Sequence, residues 1–251
     1  MNESNFAATN SAPREPWLFW GTIGWGLLAI VFWQVLIIPV IAYMIGGMDQ
    51  AEFEKYARGA DGIAVTLWLA VPAHLAVLAW AIRIKRWGFA DYLALYMPSR
   101  FYLFVGLAIL AILLPLGDLT SWLAGRPIIP DFMINIYRSG RETGTFWIAA
   151  TAIVIAAPIF EEVLFRGFMF RGLSVSRLGI TGAIVVPSLI WAAMHIQYEL
   201  FNIVQIFVIG CVFAWVRWVS GTTLLTVFMH MGVNAAAVIQ AVWWVESSVA
   251  G

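Results

Sequence analysis

The chain has 251 residues, of which 62% are hydrophobic and 11% charged; its mean hydropathy is +0.87 and its formal net charge is zero. Soluble domains run about 45–50% apolar and about 25% charged, so a water-soluble globular fold is excluded, and the balanced charge leaves no basic footprint for a nucleic-acid partner. The single cysteine, Cys211, can build neither an internal disulfide nor a thiolate metal cluster.

Residues 1–16 are polar and small and read as a disordered tail. The apolar block from Trp17 to Met44 is too long for a signal-peptide core and lacks a cleavage site, so it reads as a retained span. Further spans follow at about 63–82, 101–122, 145–171, 181–197, 199–219 and 223–246. The fourth is long enough to require a tilt or a break. The expected fold is all-α, a polytopic membrane bundle of seven helices, or eight if the third loop hides another. It divides into the tail, N-terminal spans over 17–140 and a C-terminal helical bundle over 141–251.

Lys and Arg in short loops set the orientation. Arg83, Lys85, Arg86 and Arg100 lie in the second loop, Arg171 and Arg177 in the fourth, and Arg217 ends the sixth span. The fifth loop has no base. The third, with Arg126, Arg138 and Arg141, is the exception. The pattern predicts a cytoplasmic N-terminus and an external C-terminus. Twelve arginines against two lysines suggest a GC-rich bacterial genome, hence a bacterial inner membrane.

One embedded stretch is charged: Pro158-Ile-Phe-Glu-Glu-Val-Leu-Phe-Arg-Gly167. A charge at the centre of a spanning helix costs roughly 2.5–3.5 kcal/mol on insertion scales, so Glu161, Glu162 and Arg166 need partners, water or chemistry. On a helical wheel Glu162 and Arg166 lie within about 40° and can pair, whereas Glu161 is about 140° from Arg166. That leaves Glu161 as the free carboxylate, suited to accept and return a proton. A packing cluster without chemistry is the competing reading. His195 closes the fifth span in Trp191-Ala-Ala-Met-His195, and His230 and Asn234 lie i, i+4 in the seventh, so both can address one point. Each histidine alone is most often a packing or hydrogen-bonding residue, as read for His74 beside Pro72. Two of them with an embedded Glu pair favour a site.

Together, Glu161-Glu162-x-x-x-Arg166, an aromatic-x-x-x-His ending at His195, and His230-x-x-x-Asn234 resemble the three motifs of the CAAX-protease and bacteriocin-processing family. These are membrane-embedded endopeptidases that include the type II CAAX prenyl proteases. The likeness covers roughly residues 150–240 and extends to Phe165-Arg-Gly167 and Ser220-Gly221. One departure is Trp191, where the family usually has Phe. The resemblance implies that Glu161 activates a water with help from His195, that His230 and Asn234 stabilise the oxyanion, and that Glu162 and Arg166 support them. It also implies a membrane protein or peptide as substrate, cut near a prenylated or lipid-proximal C-terminus. Zinc is the one cofactor to weigh, on Glu161, His195 and His230. The His-Glu-x-x-His signature is absent, and the expectation is that no metal is tightly bound.

Other intramembrane proteases fit less well. Val219-Ser-Gly221 lacks the first glycine of a serine elbow, only Gly117-Asp118 approaches an aspartyl motif, and both lysines lie in loops. Two non-proteolytic readings stay open: a scaffold or regulator of the bacteriocin-immunity kind, and a proton-coupled transporter.

Overall fold

The computed structural model describes residues 14–44 and 46–249. The polar tail expected over 1–16 lies outside the described residues as far as Pro13; Arg14–Pro16 run without helix into Trp17.

The described chain is all-helical. In hydrocarbon a backbone N–H or C=O finds no water, so each apolar stretch closes its hydrogen bonds within itself. The order is α1 (Phe19–Met44), α2 (Gln50–Arg58), α3 (Ala60–Ile84), α4 (Phe89–Leu93), α5 (Arg100–Leu123), α6 (Asp131–Thr143), α7 (Phe146–Thr151), α8 (Ala157–Glu162), α9 (Phe170–Ser174), α10 (Gly179–Ala193), α11 (Leu200–Ser220) and α12 (Thr223–Val249). π-helical turns at Ala152–Ala156 and Val163–Met169 join α7, α8 and α9 into one continuous helix, Phe146–Ser174. Six helices are long and apolar enough to span a membrane, and α10 is a shorter apolar one. The fourth span is continuous but locally under-wound at its two π-helical turns. Among the described residues there is no eighth span. The third loop holds α6, bounded by Pro130 and Gly144, which lays Met133, Ile136, Tyr137 and Gly140 against its neighbours.

The expected fifth span, 181–197, is corrected. Helix α10 stops at Ala193, and His195 sits in the connection to α11. The cause is local: the Trp191 carbonyl, which the His195 N–H would need to extend the helix, is taken by the Met194 N–H and by His195 Nδ1. A side chain competing for a backbone acceptor ends a helix in this way.

The Phe146–Ser174 helix is the centre of the molecule. Two-thirds (67%) of its most apolar window is buried, against 11–39% in the other long helices. Helix α3 packs along its first half, α1 and α4 along its second, and α12 crosses both halves. Buried Leu78, Ile82, Leu93, Phe165, Phe168 and Trp191 form one continuous cluster.

In lipid the hydrophobic effect does not drive helices together, so close approach at small residues matters more. Gly172 shows this where α9 meets α1: a Cβ there would fall on Thr22 Oγ1 and stand 2.6 Å from the Trp17 carbonyl. Gly172→Ala is expected to cost about 1–3 kcal/mol by overpacking, read as a lowered unfolding midpoint in detergent, whereas Gly117→Ala, where a Cβ meets nothing within 4 Å, changes it little.

Candidate active site

Glu161 and Glu162 end α8, between the two π-helical turns. Such turns leave carbonyls out of register. In the first, the Ala157 N–H bonds five back to Ala152. The matching partner of the Ile153 carbonyl is then Pro158, which has no N–H. Asn234 Nδ2 supplies the missing donor at 2.8 Å. The carbonyl of Arg166, in the second turn, accepts from Arg217 Nε at 3.2 Å. Both π-helical turns are thus held by side chains from α11 and α12.

Arg166 and Glu162 are fully buried and paired, with Nη1 donating to Glu162 Oε1 at 2.8 Å. Nη2 donates to the Gly210 carbonyl at 3.1 Å, and the guanidinium lies 4.5 Å from the centre of the Trp191 ring and 5.8 Å from that of Phe213. At Gly210 the approach is close: a Cβ would stand 3.1 Å from Nη2 and 3.0 Å from Trp191, so those side chains would have to give by a few tenths of an ångström. His230 Nδ1 lies 3.0 Å from the same Glu162 Oε1. Glu162 therefore accepts from two neighbours through Oε1 alone, while its Oε2 is buried without a hydrogen-bond partner.

Glu161 faces the other way. Its side chain keeps 13% of its surface accessible against 0% for Glu162. It lines a cavity of about 750 Å³ together with His195, Trp191, Phe160, Met194 and Phe132. Trp191 Nε1 donates to Glu161 Oε2 at 2.5 Å, and His230 Nε2 stands 4.0 Å from that oxygen. That gap is too long for a hydrogen bond but can be bridged by water. The Trp191 main-chain carbonyl accepts from His195 Nδ1 at 2.8 Å. A carbonyl has no proton to give, so Nδ1 carries the hydrogen and Nε2 keeps its lone pair. Trp191 thus sets both groups, one through its indole and one through its backbone.

The structure gathers Glu161, His195 and His230 around Trp191. Asn234 does not address the same point as His230: one amide N–H is committed to Ile153, leaving the second. Zinc would need three ligand atoms within about 2.0–2.2 Å of one point. Among the described residues no three His, Cys, Asp or Glu side chains are gathered closely enough to hold a metal ion, so the arrangement does not fit that group.

Two contributors escaped sequence reasoning. Trp191 reads as packing unless its distance to Glu161 is known. Tyr198 lies in the connection after α10 and stacks near His195, with ring centres 6.1 Å apart. Burial, and then the charge of Glu161, push its phenol up, so it stays protonated. His74 has a packing position, stacked on Phe160 at 4.8 Å with Nδ1 bonded to the Ala70 carbonyl.

Removing one partner of a buried ion pair strands the other and costs about 3–5 kcal/mol. Arg166→Leu is expected to lose stability on that scale, seen as unfolding at much lower denaturant or temperature than wild type. An unchanged midpoint would contradict the pairing.

Residues 143–236 match the family described as type II CAAX prenyl endopeptidase Rce1-like. An uncharacterized 24.3 kDa protein of Escherichia coli is 31% identical over 134 residues, which is 51% of this chain and 54% of that protein. The chain thus spans about half the length of the curated relative it matches. No solved structure matches it. The Glu161-Glu162-x-x-x-Arg166, Trp191-to-His195 and His230-to-Asn234 elements all fall inside the matched stretch, so this part of the chain is similar to the Rce1-like type II CAAX prenyl endopeptidases.

Proposed function

We propose that this chain is an intramembrane endopeptidase that cleaves a membrane-associated protein or peptide with a water activated by Glu161 and His195. The observation carrying this reading is the division of labour between adjacent carboxylates. Glu162 is fully buried and paired with Arg166 and His230 through Oε1, while Glu161 is held by one indole N–H at the edge of an accessible cavity.

Water between Glu161 and His195 Nε2 gives a proton to the carboxylate as its oxygen adds to the scissile carbonyl. The C–O bond forms and the carbonyl π electrons move onto oxygen. The second amide N–H of Asn234 is one donor to that oxyanion; His230, whose Nδ1–H is held by Glu162, supplies the other through Nε2–H in its imidazolium form. Collapse breaks the C–N bond, and the proton held on Glu161 passes to the departing amine. No step uses a metal, because the donor set does not converge on one point. Trp191 holds Glu161 throughout, a task that the phenylalanine usual at this position in the family cannot perform.

The test compares membrane peptide termini in cells making wild-type and variant protein. Glu161→Ala is expected to lower the appearance of new termini by about 10²–10⁴-fold, the scale of a lost general base, with unfolding midpoints unchanged. His195→Ala and His230→Ala should fall in the same direction. Trp191→Phe removes one hydrogen bond to a charged group, about 1.5–3 kcal/mol, and should retain partial activity. Chelators are expected to leave purified wild type unaffected. Normal turnover by folded Glu161→Ala removes this reading, and chelator inactivation reversed by zinc removes its metal-free form.

A further inference from the structure

The cavity at Glu161 has one face of the molecule as its mouth. Its outer lining comes from Arg58 at the end of α2, Asp131 and Asn135 on α6, and Gln197 after α10. These lie where α1, α5, α10 and the Phe146–Ser174 helix have their first-, third- and fifth-loop ends. That face is tied together by Arg126–Glu199 at 2.8 Å and Arg141–Glu246 at 3.5 Å. The opposite face is a separate assembly. There Arg171 bonds the carbonyls of Asp91 and Tyr92, Tyr102 bonds Val219 at 2.8 Å, and Thr223 bonds Leu93 at 2.6 Å.

The two faces differ in charge. Of the fourteen Lys and Arg, Arg166 alone lies midway along a spanning helix; Arg217, also buried, is in the last turn of α11. Apart from Arg166, five are on the mouth face, accompanied by eight acids, whereas eight are on the opposite face. Lys and Arg near span ends mark the cytoplasmic side.

We infer that the mouth opens on the non-cytoplasmic side, so that the substrate is a polypeptide segment presented from outside the cytoplasm. Its shape follows from two lengths. Helix α10 has 15 residues, about 22 Å, against about 30 Å of hydrocarbon. The connection holding His195 is therefore recessed by about 8 Å and forms a wall of the cavity, which is where irregular backbone is tolerated at membrane depth. Along α3 the lining runs from Ile63 to Leu67, about 6 Å of rise, the reach of roughly two extended residues. A folded domain does not enter such a space; an unfolded juxtamembrane segment does.

This inference rests on the protease reading for its substrate, but its test does not depend on catalysis. In a Cys211→Ala background, single cysteines are placed at the mouth (Gln197→Cys, with Asn135→Cys as a second reporter) and on the opposite face (Ala90→Cys). All three positions are exposed. Spheroplasts are treated with a membrane-impermeant maleimide before or after permeabilisation. The mouth cysteines are expected to label equally in both conditions, and Ala90→Cys only after permeabilisation. The reverse pattern, labelling of both faces in intact spheroplasts, or mouth cysteines that never react overturns the proposal. A supporting label pattern with no cleavage by wild type would fault the protease reading instead.

Discussion

A guanidinium in the hydrocarbon interior has no water to turn to, and the partners that Arg166 recruits fix much of the remaining structure. It takes Glu162 from its own helix, a backbone carbonyl from α11, and the faces of Trp191 and Phe213. Each contact constrains a neighbour. Glycine at position 210 leaves the guanidinium room to approach, and the Trp191 ring lies beneath it. With its ring so placed, the Trp191 indole N–H reaches Glu161. The buried ion pair therefore positions the free carboxylate indirectly, through an aromatic ring that both share. Buried pairs are weak sources of net stability but strong penalties when broken, which suits a role in fixing geometry.

The helix with the two π-helical turns follows the same logic. Two π-helical turns flank the paired glutamates and release backbone groups that the lipid cannot satisfy. Asn234 and Arg217 satisfy them from α12 and α11. Polar residues that look catalytic by type can thus be occupied in holding a helix. Asn234 is the clear case, since half of its donor capacity closes a gap created by Pro158.

The spans were legible because sustained apolarity needs no tertiary context, and the Glu162–Arg166 geometry because i, i+4 spacing is a local property. The end of α10 was not. Met194-His-Ile continues the apolar run without Gly or Pro, and only the competition between His195 Nδ1 and the backbone for the Trp191 carbonyl stops the helix. The target of Asn234 was hidden for a similar reason, since it depends on a register shift that no residue type announces. Trp191 was visible as an aromatic departure from the family pattern, yet its hydrogen bond to a residue 30 positions earlier appears only once the helices are assembled. Helix α6 could have been found from Pro130, its amphipathic spacing and Gly144.

Two adjacent carboxyls have opposite fates: Glu161 is open to the cavity and Glu162 is fully buried beside Arg166 and His230. A hydrophobic carbodiimide, which modifies carboxyls reachable within the membrane, reports this directly when the labelled peptide is sequenced by mass spectrometry. Adduct on Glu161 with Glu162 unmodified is the predicted result. Labelling of Glu162 as readily as Glu161 would contradict the division of roles and the chemistry built on it.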